Sequence, residues 1–264
     1  MGRIISIANQ KGGVGKTTTS INLAAALAHY GCHILLIDLD PQGNATMGSG
    51  VNKNEITLSM NDVLLARASL SDVIVKTECH YELLPGNADL TESEINLVQQ
   101  ERKEFRLSEQ LTLLNKEYDY ILIDCPPSLN MLTVNALVAS DSVLIPLQCE
   151  YYALEGLTGL LATVRDITQM SNTRLVVEGL LRTMYDGRNC LTQQVSDQLL
   201  MHFKDLVYKT VIPRNVRLAE APSHGLPILL YDKHSAGAAA YLAIAAEMLQ
   251  KHKKVQPTKV TAEG

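Results

Sequence analysis

Residues 3–38 read RIISIANQKGGVGKTTTSINLAAALAHYGCHILLID, and this stretch decides the fold. Arg3–Asn9 is a short apolar run that reads as a strand. Lys11–Thr18 is a glycine-rich loop. Thr19–Tyr30 has helical composition and is closed by Gly31 in the C′ position. Ile34–Asp38 is a continuous apolar run, the pattern of a parallel strand buried on both faces. Strand, loop, helix and strand within about 40 residues make a βαβ unit. The loop lies between strand and helix, where a phosphate group is best held. The backbone N–H groups of Gly12, Gly13, Val14 and Gly15 can close around phosphate oxygens, and the helix N-terminus adds positive potential. Lys16 can reach β- and γ-phosphates, the Thr17 hydroxyl can ligate Mg2+, and Thr18 completes the motif. The common pattern G-x-x-x-x-G-K-[ST] asks for glycine at position 10, where this chain has Gln10. The loop carries an additional lysine, Lys11, instead.

Outside this unit the strand–helix alternation continues. Tyr120–Asp124, Ser142–Leu147, Leu175–Leu181 and, less clearly, Leu206–Ile212 read as strands. Asn130–Ala139, Leu154–Gln169 and Leu191–Phe203 read as helices between them. Ser235 reads as the N-cap of a closing helix, Ala236–Lys251. The expected fold is α/β, a single doubly wound and predominantly parallel sheet with helices on both faces. No Pro/Gly/Ser-rich linker divides the chain, so residues 1–254 are expected to form one domain and residues 255–264 a polar tail. Val51–Leu90 gives the weakest pattern.

The 264 residues are 46% hydrophobic and 19% charged, enough to build a core and unlike a disordered or fibrous chain. No apolar run reaches the roughly 18–20 residues that span a bilayer, and no signal-peptide pattern opens the chain. The five cysteines lie far apart without a C-x-x-C pair, which fits a reducing, cytoplasmic setting. The net charge of −5 is unevenly spread, with −9 in residues 1–181 and +4 in residues 182–264. Arg188, Arg214 and Arg217 are the first candidates for a polyanion contact. No recognition-helix or zinc-finger pattern accompanies them, so contact with phosphates rather than base readout is expected.

Three more segments bear on chemistry. Asp124 ends an apolar strand, so its carboxylate emerges at the sheet edge where α/β folds bind ligands. It would hold the Mg2+ water shell, or else cap a helix just past the strand. Asp38 and Asp40 follow another strand, in a D-x-D-P-x-G sequence that also has turn composition. They are expected to diverge, one toward the metal shell and one toward the attacking water. The K-G-G-x-G-K-T-T loop resembles that of the deviant Walker A ATPases, the ParA/MinD/Soj group. Residues 38–44 (DLDPQGN) resemble the family's switch, and residues 124–128 (DCPPS) its Walker B region. Residues 213–223 (PRNVRLAEAPS) with Tyr231-Asp232 resemble chromosomal Soj-type ParA proteins.

The resemblance covers essentially the whole chain and implies a Mg2+-dependent ATPase. It implies that Asp40 serves hydrolysis, that Asp38 supports the Mg2+ site, and that Pro213 and Asn215 lie near the adenine. Lys11 is implied to cross a dimer interface to the partner's ATP. The implied partners are a second copy, non-specific DNA and a ParB/Spo0J-type protein, with the ATPase on the nucleoid and not on membrane. The absence of a long N-terminal extension would suit the short chromosomal type. The alternatives are a MinD-like membrane ATPase, an iron–sulfur reductase and a synthetase related to dethiobiotin synthetase. They would need, respectively, a basic amphipathic C-terminal helix, cluster-spaced cysteines and a different C-terminal segment.

Overall fold

The computed structural model describes residues 2–114 and 117–255. Its strands are β1 (Arg3–Ile7), β2 (Ile34–Asp38), β3 (Val75–Lys76), β4 (Glu82–Leu84), β5 (Tyr120–Asp124), β6 (Ser142–Gln148) and β7 (Val176–Thr183). They form one sheet in the order β3-β4-β2-β5-β1-β6-β7, with β3 antiparallel and every other pair parallel. The helices are α1 (Lys16–His29), α2 (Asn44–Gly48), α3 (Met60–Leu64), α4 (Leu70–Val73), α5 (Leu90–Leu97) and α6 (Arg106–Thr112). They continue with α7 (Met131–Ala139), α8 (Ala153–Met170), α9 (Cys190–Phe203), α10 (Val216–Glu220), α11 (Ile228–Tyr231) and α12 (Ala236–Val255).

The doubly wound fold follows from strands apolar on both faces. Side chains alternate along a strand, so a continuous apolar run must feed two cores. Leu35 and Ile37 of β2 and Ile121 and Ile123 of β5 join one core with α3 and α5 to α9. Ile34, Leu36 and Leu122 join the other, with α1 and α12. Leu23 and Leu27 of α1 pack there with Tyr241, Ile244 and Met248 of α12.

Several element ends shift by one to four residues, among them β1, which stops at Ile7, and α12, which runs on to Val255, and two differences have a clear cause. Helix α1 starts at Lys16, three residues before Thr19, because its N-cap Gly15 turns the chain with φ 85°. Its end matches the reading, with Tyr30 as C-cap and Gly31 at φ 85°. Leu206–Ile212 is not a strand. Lys204–Leu206 is a 3₁₀ turn, and the rest of the segment meets β7 in scattered backbone bonds rather than a ladder, with a bridge from Leu180 to Val207, Tyr208 N donating to Leu180 O at 3.0 Å and Ile212 N to Arg182 O at 2.9 Å. The buried Arg182 guanidinium satisfies two of the segment's carbonyls. It donates to the carbonyls of Tyr208 at 3.0 Å and Lys209 at 3.1 Å. The weakly patterned Val51–Leu90 holds α3, α4, β3 and β4. The expected tail overlaps α12 at Val255, and residues 256–264 lie outside the described residues.

At the sheet edge opposite the glycine loop, α12 is tied to β7 through the buried Glu178 carboxylate. Ser142 Oγ donates to it at 2.8 Å and Tyr208 Oη at 3.0 Å, with His252 Nε2 at 3.1 Å and Lys251 Nζ at 3.4 Å. Burial opposes the charge, but His252, Lys251 and Ser142 together hold the carboxyl down to about 2. Glu178→Ala leaves these buried groups unpaired, and a loss of about 3 kcal/mol is expected. Urea unfolding at neutral pH measures it, and a loss within ~0.5 kcal/mol would show that the cluster is not a fastening. Because the folded carboxyl is depressed, its contribution is present above the ordinary Glu range and is lost as pH falls toward about 2.

Candidate functional site

The loop leaves β1 at the middle of the sheet, between β5 and β6. Asn9 shapes its entry: Nδ2 donates to Pro146 O at 2.8 Å, and Oδ1 accepts from Lys11 N at 3.0 Å. Thr183 Oγ1, at the end of β7, donates to Val14 O at 2.7 Å and fixes the loop's crest. Gly13 (φ 73°) and Gly15 (φ 85°) occupy the left-handed region that a side chain would strain. Among the described residues, the N–H groups of Gly12, Gly13, Val14 and Gly15 have no partner within the chain. They form a cradle of donors just before the α1 N-terminus, suited to an anion. Lys16 is 6% exposed and folds back to donate from Nζ to Lys11 O at 3.1 Å. Burial lowers its pKa, while the charge of Asp124, above all, opposes the shift.

Beside the loop stand the carboxylates. The parallel register sets Asp38 level with Asp124 across β2 and β5. Asp124 Oδ2 accepts from Thr17 Oγ1 at 2.8 Å, and Oδ1 accepts from Ser20 Oγ at 2.7 Å. Asp38 accepts from the backbone N–H and hydroxyl of Thr46, both at 2.7 Å, and from Asp40 N at 3.2 Å. Asp40 Oδ1 accepts from Gln42 N at 3.0 Å. The expected divergence of Asp38 and Asp40 does not hold. Residues two apart in an extended chain share a face, and both carboxylates lie within electrostatic reach of Asp124. Asp124 is not a helix cap, since both its oxygens are turned to α1 hydroxyls.

Burial raises the pKa of Asp38 and of Asp124. A neighbouring carboxylate raises each further, Asp124 acting on Asp38 and Asp40 on Asp124. The folded protein without a cation therefore holds protons more tightly than the unfolded chain. Its stability should fall as pH rises from the ordinary carboxylate value near 4 through neutrality. Asp124→Asn is expected to melt about 2–4 °C higher than the parent at pH 8 without Mg2+, the shift that ~1 kcal/mol gives a protein of this size. An unchanged or lower melting temperature there would remove charge strain from the account.

Pro213 and Asn215, expected at the adenine, line a cavity of about 170 Å³ together with Gly15, Thr18, Met184 and Arg214. Asn215 Oδ1 accepts from Leu218 N at 3.2 Å as the N-cap of α10, so its amide NH2 is the group left for a base. Lys16 bonds the Lys11 carbonyl, but the Lys11 side chain is engaged elsewhere. It is half-exposed and forms an ion pair at 2.5 Å with Glu150, which follows β6. Tyr151 and Tyr152 stand next to Glu150, 75% and 66% exposed and packed edge to face.

Arg188 and Arg214 lie on neighbouring segments, since Tyr185 O accepts from Arg214 N and Asp186 pairs with Arg188, and Arg217 follows in α10. Two are already neutralised within the chain. Arg188 grips Asp186 through two bonds of 2.9 Å, and Arg217 pairs with Glu220 at 2.9 Å and with Asp232 at 3.6 Å. Arg214 is exposed at the mouth of the cavity. The described α12 residues leave no large apolar side chain exposed. None of the described helices is long and apolar enough to cross a membrane. The motifs did not reveal Ser20, Thr46, Glu150 or Thr183. Of these, only Ser20, one helical turn from Lys16, had a local signal in the sequence.

A glycine loop after the central strand, a buried lysine inside it and a carboxylate at the end of the adjacent strand define a P-loop nucleoside triphosphatase. A family model described as an AAA domain matches residues 2–177. The sporulation initiation inhibitor protein Soj of Bacillus subtilis is 54% identical over 249 residues, 94% of this chain and 98% of its own. The chromosome partitioning protein ParA of Caulobacter vibrioides is 50% identical over 257 residues, 96% of each chain. Among solved structures, cobyrinic acid a,c-diamide synthase from Mycobacterium smegmatis, with bound ADP and magnesium, aligns with a TM-score of 0.85. It is 36% identical, and 97% of each chain is covered. The chain belongs to the ParA/Soj family of chromosome-partitioning ATPases. The synthase name belongs to a metabolic enzyme. The Soj and ParA relatives match at higher identity across alignments that cover nearly all of this chain.

Proposed function

We propose that residues 1–254 work as a single Mg2+-dependent ATPase domain that closes on ATP as a homodimer, binds DNA without sequence preference as the dimer, and is discharged by a ParB/Spo0J-type partner to move chromosome or plasmid origins. Its place is the cytoplasm, on the nucleoid. The loop amides, Lys16 and Thr17 would hold the phosphates. Thr17 and Asp124 would hold the Mg2+ shell with support from Asp38, and Asp40 would set the attacking water. The donor set fits these groups: unpartnered N–H groups face an anion, and crowded carboxylates gain from a divalent cation. Bound Mg2+ supplies charge neutralisation on the β- and γ-phosphates.

The observation that carries the dimer is the position of Lys11. Lys16 already fills the interior of the loop, whereas Lys11 stands at its rim, paired with Glu150 beside two exposed tyrosines. A cation there can serve ATP bound to a second copy, as an arginine finger does. For DNA, Arg188 and Arg217 must exchange Asp186, Glu220 and Asp232 for phosphates. One subunit then offers few contacts and a dimer doubles them on one surface.

Light scattering with ADP, ATP and a non-hydrolysable analogue, each with and without DNA, tests the cycle. A monomer with ADP and a dimer with the analogue are expected, with Lys11→Ala monomeric throughout. DNA should bind the dimer alone, with affinity falling steeply as salt rises. Charge reversal at Arg188 and Arg217 should weaken binding equally on unrelated sequences and leave dimerisation intact. Equal DNA binding with ADP would overturn the dimer-gated cycle.

A further inference from the structure

The hydroxyl of Thr46 occupies an unusual place. Thr46 belongs to α2, the short helix after the Asp38–Asn44 switch segment, and is fully buried. Its Oγ1 donates to Asp38 Oδ2 at 2.7 Å and accepts from Gly86 N at 2.9 Å. Gly86 lies on the link from β4 to α5, 40 residues away along the chain. That link is pressed against the switch, for a Cβ at Gly86 would collide with the carbonyl oxygen of Asp38 and one at Gly43 with the carbonyl oxygen of Gly86. The other oxygen of Asp38 accepts from Asp40 N, and Asp40 in turn accepts from Gln42 N. One hydroxyl thus joins the end of β2, α2 and the β4–α5 link, and the carboxylate it holds orients the backbone of Asp40.

We propose that Thr46 is a positioning residue for hydrolysis, its hydroxyl fastening Asp38 to the Gly86 backbone and so keeping Asp40 in its working place beside Asp124. This rests on the reading of Asp40 as the residue that sets the attacking water. Asp38 then acts chiefly as a bracket between Thr46 and Asp40. The Pro85–Asn87 segment, which touches no phosphate-loop residue through a hydrogen bond among the described residues, becomes part of the hydrolytic machinery. No phosphate-loop residue takes part in this chain of bonds, and Thr17 and Asp124 keep their own bond, so ATP affinity is expected to change little.

Thr46→Val removes the hydroxyl with little change of shape, and Thr46→Ser retains it. In Thr46→Val, kcat for Mg2+–ATP is expected to fall about 10- to 100-fold, the scale of a small misplacement, with KM within roughly threefold of the parent. Thr46→Ser should restore kcat. A second readout needs no nucleotide: amide exchange at Asp40 and Gly86 should quicken about tenfold or more in Thr46→Val and stay at the parent rate in Thr46→Ser. Should Thr46→Val fail to fold, Thr46→Ala carries the same comparisons. A kcat within roughly threefold of the parent overturns the proposal. So does a fallen kcat with exchange at Asp40 unchanged. If Asp40→Ala hydrolyses ATP at the parent rate, the reading of Asp40 fails. The exchange rates then still decide whether the hydroxyl holds that backbone.

Discussion

Lys16→Ala is expected to lose ATP affinity by about 10- to 100-fold or more, the weight of charge-assisted hydrogen bonds in a buried site. Among the described residues, Lys16 is the one ammonium seated inside the loop, 6% exposed and within reach of Asp124 and Asp40. Lys11 cannot replace it, because its Nζ is drawn to Glu150 at the rim. The loop conformation should survive, since Asn9 and Thr183 hold it independently of the lysine. Removing the lysine also strands Asp124 without its nearest compensating charge, so the variant should bind Mg2+ alone no worse than the parent. Isothermal titration of ATP at fixed Mg2+ checks this directly. Unaltered ATP affinity would sink the phosphate-loop assignment.

Asp40→Ala is expected to separate binding from turnover. Without the carboxylate that sets the water, kcat should drop about 10²-fold or more, the usual weight of a positioned proton acceptor. The loop amides, Lys16 and Thr17 remain, so ATP binding should stay within roughly threefold of the parent. Under the proposed cycle the ATP dimer then accumulates, and single-turnover hydrolysis beside light scattering records both effects. Hydrolysis at the parent rate would remove Asp40 from the mechanism.

The sequence made the first βαβ unit legible because its signals are local: glycines at fixed offsets, an apolar run and a closing Gly31. Asp124 was legible because it ends such a run. Ser20 was so only through its place one turn from Lys16, and Thr46 and Thr183 were not: Thr46 depends on Asp38 and the distant Gly86, and Thr183 on Val14, 169 residues away, which the sheet brings close. Strand β4 is three residues long in a polar segment, too short to show a period. The Leu206–Ile212 error has the same root, because an apolar run does not reveal that Arg182 will satisfy its carbonyls. The arginine pairs were partly readable, for D-x-R at Asp186–Arg188 and R-x-x-E at Arg217–Glu220 are short spacings.

The level pairing of Asp38 with Asp124 has a consequence for how the chain finds its own alignment. The runs ahead of the two aspartates, Ile34–Ile37 and Tyr120–Ile123, are bulky and apolar at every position, and both faces of each strand are covered. Sliding one strand past its neighbour by a single residue would exchange one set of apolar side chains for another, so oiliness alone hardly distinguishes the aligned sheet from the slipped one. The aspartates do distinguish them. Displaced by one step, a carboxylate would leave its hydroxyl and amide partners and meet an apolar layer, at a cost of several kcal/mol. They therefore serve as stops on a ruler otherwise without marks, and the residues placed for chemistry also tell the folding chain where its strands must end.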